Sequence, residues 1–218
     1  MDGSAKAGLG GGQTHLRLPG ASVAPTRHAP APAEPLADLD TQLMLQAAQG
    51  DRAAASRLIE RNRDRIARYI AQILSDQRAV EDLTQEVFLQ ALRHADQYRP
   101  TAKVTTWLYC IATNLARNHL KDAGVRRRLA VNPETALDIP DPHEPPPDRQ
   151  LSLDELKAQV ARAIRELPLK QRIALTLCQY EGCSYEQAAV VLDASVEAVR
   201  SLLLRARRRL RETLADLR

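Results

Sequence analysis

Residues 184–211 read SYEQAAVVLDASVEAVRSLLLRARRRLR, and this stretch decides the class of fold. Ser184 and Gln187 have the S-x-x-Q spacing of a capping box, which predicts the start of a short helix. Residues 193–195 form a three-residue turn, and Ser195 is a suitable N-cap for the helix that follows. A short helix, a tight turn and a longer helix are typical of a helix-turn-helix motif, expected here over about 184–208.

The second helix of this motif has an apolar stripe on one side and arginines on the other. Residues 195–218 contain seven Arg against three acidic residues, a net charge of +4. In such motifs the second helix enters the major groove, where Arg can bind guanine with two hydrogen bonds. The alternative is a solvated amphipathic terminal helix. The residues expected to contact DNA are Ser195, Arg200, Ser201, Arg205 and Arg208.

Composition favours packed helices for the whole chain. Hydrophobic residues make up 44% of the 218 residues and aromatic residues only 3%. A core of Ala, Leu, Ile and Val with few β-branched or aromatic runs predicts an all-α fold. No apolar run approaches the roughly 18 residues that would span a bilayer, so we expect a cytoplasmic protein without direct membrane insertion.

Composition also divides the chain into two small helical domains. Residues 1–38 are rich in Gly, Ala and Pro and predict a disordered tail. Helical spacing then predicts four helices within 39–128, with Asp51 and Asp76 as N-caps and Gly124 as the end of the fourth. Residues 129–151 are expected to form a Pro-rich acidic linker with a reach of roughly 70 Å, which joins the two domains. Helices resume over 152–218.

The fourth predicted helix, TTWLYCIATNLARNHLKD at 105–122, carries amides and basic residues beside a loop at 97–105. Residues 93–128 contain eight basic and two acidic residues, a net charge of +6. Such a surface suits contacts with unstacked bases of single-stranded DNA. Trp107 and Tyr109 could stack on bases, with burial in the core as the favoured alternative. The candidate residues here are Lys103, Trp107, Asn114, Arg117, Asn118 and Lys121.

The third predicted helix has the opposite charge. Residues 76–90 contain four acidic residues and one Arg, a net charge of −3. Helical spacing places Asp82, Gln85, Glu86 and Leu89 on one outward stripe. Because an acidic stripe repels DNA, in a DNA-binding protein it indicates a protein partner. A solvated helix face is the alternative.

Catalytic and metal-binding patterns are weak in this sequence. The five histidines show no metal-ligand spacing, and the chain has neither a Gly-rich phosphate loop nor a G-x-S-x-G motif. Cys178 and Cys183 are expected to be packing residues, with a thiol switch as the alternative. We therefore expect no catalytic residue, no metal and no cofactor. The rival interpretations are a stand-alone helix-turn-helix regulator and, less favoured, a helical hydrolase.

Three blocks of the sequence resemble the bacterial RNA polymerase sigma factors of the extracytoplasmic-function (ECF) group. They are EDLTQEVFLQAL at 81–92, the TTWLYCIATNLARNHLKD helix at 105–122, and LPLKQRIALTLCQYEG followed by the helix-turn-helix, together 167–212. With the helices between them the resemblance covers about residues 39–217. It implies a non-enzymatic factor that binds core polymerase, directs it to promoters and promotes DNA melting.

The resemblance also implies roles for particular segments. It makes 39–128 sigma region 2, with polymerase binding at about 80–93 and recognition and melting of the −10 element at about 97–128. It makes 152–218 sigma region 4, which reads the −35 element. The implied partners are the clamp helices of the largest polymerase subunit, which would contact the acidic stripe, the β flap, promoter DNA and an anti-sigma factor. Glu197 stands where small or hydroxyl residues are common in the family; near a phosphate it would weaken binding, or it would shift the preference toward an exposed cytosine amino group.

Overall fold

The computed structural model describes residues 38–74, 76–130 and 153–215, with no side-chain description for 125–130. Within these ranges the chain forms eight α-helices and no strand, which confirms the predicted all-α class. The expected tail and most of the expected linker lie outside the described residues. The helices are α1 (Leu39–Ala48), α2 (Arg52–Ile73), α3 (Gln77–Arg93), α4 (Val104–Ala130), α5 (Leu153–Arg165), α6 (Leu169–Leu175), α7 (Tyr185–Leu192) and α8 (Val196–Thr213).

Side-chain caps begin the helices where the sequence predicts them. The Asp51 carboxylate accepts hydrogen bonds from the first-turn N–H groups of α2, the shorter at 2.8 Å. Ser184 and Gln187 form the predicted capping box, with bonds of 2.8 and 3.2 Å. Ser195 Oγ accepts from Ala198 N–H at 3.1 Å and caps α8. The helix-turn-helix prediction is confirmed at the level of its helices and its turn.

The predicted end of the fourth helix is wrong. Gly124 does not terminate α4, which continues to Ala130. A glycine ends a helix where it adopts a left-handed backbone. Positive φ angles occur at Gly50 (+92°) and Gly182 (+65°), but not at Gly124. An interior glycine costs only about 1 kcal/mol relative to Ala, and the arginines that follow are good helix formers, so the helix continues through it.

Helices α1–α4 form the first lobe, which we call the N lobe. Its core consists of aliphatic side chains with almost no exposure, and Tyr69 on α2 bonds Thr113 on α4 through their hydroxyls at 2.5 Å. This bond joins two of the longest helices of the lobe inside its apolar core. The most buried members of this core include Met44, Leu58, Ile66, Ile70, Val87, Leu108 and Ile111.

Helices α5–α8, with a π-helical segment at Thr176–Tyr180 between α6 and α7, form the C lobe. Helix α8 packs on α6 and α7 through Val199, Leu203 and Ala206, all at most 2% exposed. They belong to the stripe predicted from the sequence, whose two remaining residues, Leu210 and Leu214, are half-buried. Burying them turns the arginine-bearing side of α8 outward.

The two lobes pack directly against each other. Helix α4 contacts α7, and α2 contacts α6 and the π-helical segment. The hydroxyl of Tyr109 on α4 donates to Glu181 Oε2 of the C lobe at 2.6 Å. Buried residues of both lobes form one continuous cluster.

Candidate polymerase and DNA interfaces

The predicted acidic stripe lies on the outer side of α3. Asp82, Gln85 and Leu89 are exposed, Leu89 by 56%, and Glu86 is half-buried and accepts a hydrogen bond from Gln90 at 2.8 Å. The opposite side of α3 is buried in the N lobe through Val80, Val87 and Ala91. A large exposed apolar side chain beside carboxylates offers a protein partner both apolar contact and charge.

The candidate residues of α4 do not form one compact patch. Asn114, Arg117 and Asn118 lie within about one turn of one another and are half-buried, and Lys121 beyond them is exposed. Lys103 precedes the helix and is exposed. At about 1.5 Å per residue, Lys103 and Lys121 lie about 27 Å apart along the helix axis. The two lysines are therefore at opposite ends of the surface expected to contact DNA.

Trp107 and Tyr109 are core residues in this structure. Trp107 is 6% exposed, and its ring centroid lies 5.6 Å from that of Tyr98. Tyr109 is 2% exposed, with its ring 4.8 Å from that of Tyr69. Trp107 is therefore a core residue, the favoured of the two interpretations. Its indole does not lie at the surface, where it could stack on a base.

The arginine side of α8 is open. Arg200, Ser201, Arg205 and Arg208 are all exposed, in register with the N-terminal two-thirds of the helix. Arg205 Nε donates to the Ser201 carbonyl at 3.2 Å, and Arg208 forms an exposed ion pair with Glu212 at 3.7 Å. The Ser195 Oγ atom accepts the capping hydrogen bond, and its hydroxyl hydrogen can still donate a second hydrogen bond. Arg200, Ser201, Arg205 and Arg208 lie outside the buried stripe of α8, and Ser195 directly precedes the helix.

Sequence reasoning missed two residues beside this arginine side. Leu204 is 71% exposed, the most exposed of the large apolar side chains described. It lies one turn after Arg200 and Ser201, opposite the buried stripe, so helical spacing could have found it. Tyr185 on α7 lies under the guanidinium of Arg200, 5.9 Å from ring centroid to Cζ, an arrangement that favours one position of the arginine.

The three cysteines are free thiols, and all of them are hard to ionise. Burial raises the pKa of Cys110 to about 12 and that of Cys183 to about 11, and it also raises the pKa of Cys178. The charge of Arg117 lowers the pKa of Cys110 and that of Cys183 raises it, but burial has the largest effect. Thiols that ionise only at high pH are poor nucleophiles at neutral pH, which favours the packing interpretation.

The structure has no cluster of metal-ligating side chains among the residues it describes. None of the described helices is both long enough and apolar enough to cross a bilayer. The described surface has three features: the acidic side of α3 with the exposed Leu89, the amide and basic side chains of α4, and the exposed arginines of α8. A helical protein with these three surfaces and a helix-turn-helix belongs by its architecture to the DNA-binding transcription proteins.

Comparisons with known proteins identify the family. The sequence profile of Sigma-70 region 2 matches residues 58–126, and that of Sigma-70 region 4 matches residues 157–210. The RNA polymerase sigma-H factor of Pseudomonas aeruginosa is 35% identical, covering 82% of this chain and 95% of that protein. The ECF RNA polymerase sigma-E factor of Escherichia coli K12 is 33% identical, covering 77% and 90%.

Two solved structures have a similar fold. CnrH, solved in complex with the cytosolic domain of CnrY, has a TM-score of 0.61 at 26% identity, covering 82% of this chain and 98% of that one. RpoE from Bartonella quintana, solved with the anti-sigma factor NepR, has a TM-score of 0.58 at 23% identity, covering 73% and 96%, and shows the same fold. This chain belongs to the ECF group of RNA polymerase sigma factors, whose function is promoter-specific transcription initiation.

Proposed function

We propose that three separate helices divide the work of initiation in this chain. The acidic stripe of α3 (Asp82, Gln85, Glu86 and Leu89) docks on the clamp helices of the largest polymerase subunit. The N lobe corresponds to sigma region 2, within 39–128, and the C lobe to region 4, within 152–218. The observation that carries this division is the opposite sign of the two exposed surfaces, acidic on α3 and arginine-rich on α8.

Helix α4 is the part assigned to the melted −10 strand. Asn114, Arg117, Asn118 and Lys121 offer amide and cationic groups, which suit the edges and phosphates of unpaired bases. Asn114 takes up a flipped base, and Lys103 at the start of the helix contacts the phosphate backbone. Trp107 supports this surface from inside the core instead of touching DNA.

Helix α8 is the part assigned to the −35 duplex. Arg200 and Arg205 read base edges, Ser195 and Arg208 contact phosphates, and Ser201 lies between the two arginines. Leu204, exposed among these polar residues, contacts a thymine methyl group in the major groove. Tyr185 holds the Arg200 guanidinium in place for this reading.

The chain performs no catalysis of its own and needs no cofactor, because the polymerase supplies the chemistry. It acts in the cytoplasm, where polymerase and promoters are, and the C lobe makes a second polymerase contact at the β flap. An anti-sigma factor is its regulatory partner. Two similar structures support this partner: RpoE from Bartonella quintana was solved with the anti-sigma factor NepR, and CnrH with the cytosolic domain of CnrY.

Reconstitution tests the proposal. Core polymerase with this chain is expected to initiate at discrete promoters on genomic templates, and start-site mapping then defines the −10 and −35 elements. The variant Asp82→Arg/Glu86→Arg should lose competition for core polymerase while keeping its fold, since like charges at an interface cost several kcal/mol. Normal competition by that variant would remove the acidic stripe from the interface. Tight dimeric binding to a palindrome without polymerase would instead support a stand-alone regulator.

A further inference from the structure

Glu197 is an acidic residue in the first turn of α8, the helix assigned to the −35 duplex. It is exposed, and between Ser195 and Arg211 it is the single acidic residue. From the sequence, two interpretations of Glu197 are open: repulsion from a phosphate, or contact with a cytosine amino group. A carboxylate that only repelled phosphates would oppose the binding that the arginines of this helix promote. The side of the helix on which Glu197 lies distinguishes the two interpretations.

Glu197 lies at the centre of the outward side of α8. At about 3.6 residues per turn, its position is nearly opposite the buried stripe of the helix. Exposed residues continue this central line along the helix: Ser201, Leu204 and Arg208. The N-terminal turns of a recognition helix contact base edges in the major groove. A first-turn residue at the centre of that side therefore faces the bases and not either phosphate backbone.

The Glu197 carboxylate forms no ion pair with any residue that the structure describes. Arg200 follows three residues later, a spacing at which Glu–Arg pairs form on helices. Its guanidinium lies instead against the Tyr185 ring of α7, with 5.9 Å from Cζ to the ring centroid. The pKa of Glu186, also on α7, is lowered by its own backbone N–H and the Ser184 side chain, and also by the charge of Arg200. Both α7 residues thus attract the arginine, and the Glu197 carboxylate is left without it.

The chemistry of a carboxylate restricts the base that it can contact. An ionised carboxylate only accepts hydrogen bonds. In the major groove guanine and thymine present oxygen or nitrogen acceptors, whereas cytosine and adenine present amino donors. The adenine amino group lies beside the N7 acceptor, which repels a carboxylate, and the edge of cytosine has no such acceptor. Cytosine is therefore the base that suits Glu197.

We propose that Glu197 is a specificity-determining residue, which accepts a hydrogen bond from a cytosine amino group in the −35 duplex, at the base pair next to the guanine that Arg200 reads. Residues one turn apart on a recognition helix contact neighbouring bases, which places the cytosine beside the guanine. Tyr185 and Glu186 are positioning residues, because they keep Arg200 from pairing with Glu197. The inference rests on the proposed role of α8 in reading the −35 element.

A promoter with a randomised −35 element tests the assignment. Core polymerase is combined with the full-length native chain or a variant, and the transcripts are sequenced. The native chain should favour cytosine at one position, next to the position whose guanine preference Arg200→Ala abolishes. Glu197→Ala should lose the cytosine preference alone, by about fivefold to a hundredfold, the range for one mismatched base pair. Glu197→Gln should add adenine there, since an amide can donate to N7 and accept from the amino group.

A change in the DNA tests the hydrogen bond itself. Replacing the favoured cytosine by a pyrimidinone deoxynucleoside, a cytosine analogue without the amino group, should weaken promoter binding by native holoenzyme about fivefold or more. The same replacement should leave binding by the Glu197→Ala holoenzyme unchanged. Tyr185→Leu should reduce both the guanine and the cytosine preference, because Arg200 is then free to pair with Glu197. Tyr185→Phe, which keeps the aromatic ring, should retain both preferences.

Native base preferences in Glu197→Ala would overturn the proposal. In that case a uniform rise in initiation on every −35 sequence assigns Glu197 to phosphate repulsion. A uniform fall assigns it to stabilisation of the helix start through the helix dipole, which is the same for every promoter. If the native holoenzyme favours no base at the −35 element, the proposed function of α8 fails instead. A guanine preference that depends on Arg200, without a cytosine preference that depends on Glu197, overturns this inference alone.

Discussion

Helices α4 and α8 are both assigned to DNA, yet they present their residues in opposite ways. On α8, Arg200 and Arg205 are exposed on a helix that is buried along its inner stripe. On α4, Asn114 and Arg117 are half-buried, and the turns before them are covered on all sides. The residues assigned to DNA are therefore exposed on α8, whereas those of α4 are only partly accessible.

The largest expected effect concerns the open helix. Arg200→Ala/Arg205→Ala should weaken promoter-specific initiation by about 2–6 kcal/mol in total, because each arginine contributes about 1–3 kcal/mol of base reading. Competition for core polymerase should stay at the native level. Run-off transcription and a core-competition assay measure the two. Equal loss in both assays would mean that α8 acts on polymerase and not on DNA.

The next effect concerns the buried side of α4. Trp107→Ala should lower the free energy of unfolding by about 3–5 kcal/mol, since it leaves a large cavity beside Tyr98. Trp107→Phe keeps most of the packing and should bind promoter DNA normally. Urea unfolding and promoter binding test the pair. A stable Trp107→Phe chain with impaired melting would return Trp107 to the DNA-contacting set.

Alkaline pH should act on Cys110, the buried thiol of α4. Burial raises the pKa of Cys110 to about 12, whereas an unfolded thiol ionises near about 8.5. The neutral thiol thus belongs to the folded state, and its contribution is complete below about pH 8.5 and declines as the pH rises towards 12. Urea unfolding at about pH 8 and about pH 10.5 should show a loss of about 3 kcal/mol from this group. Cys110→Ala should remove that part of the slope, and an identical slope would contradict the burial argument.

The smallest effect sharpens the role of the open helix. Leu204→Ala should weaken −35 binding about fourfold, because one buried methyl group contributes about 0.8 kcal/mol. Replacing the contacted thymine by deoxyuridine, which lacks the methyl group, should cost the native chain the same and the variant nothing. Additive losses in the double change would show that Leu204 contacts no thymine methyl.

Local signals predicted most of the fold. Ser184, Ser195, Asp51 and Asp76 were identified as caps because capping depends on a few neighbouring residues, and each caps as predicted. The stripe of α8 was predicted because helical periodicity is a property of the segment itself. The prediction that Gly124 ends α4 was wrong because a glycine followed by good helix formers can either end a helix or lie within one. The assignment of site residues to DNA and polymerase stays a prediction that the experiments above address.

Sequence alone determined the helices, their caps, the acidic surface of α3 and the arginine surface of α8, since charge and periodicity are written in consecutive residues. Only the tertiary structure showed which side chains are buried and which distant residues are bonded. Trp107 lies inside the core, and the Tyr109 hydroxyl bonds Glu181, 72 residues away in the chain. One guanidinium nitrogen of Arg117 is buried. The physical reason is that burial depends on which surfaces from distant parts of the chain come into contact. The free energy of burying those surfaces depends on both of them together, so neither segment alone determines it.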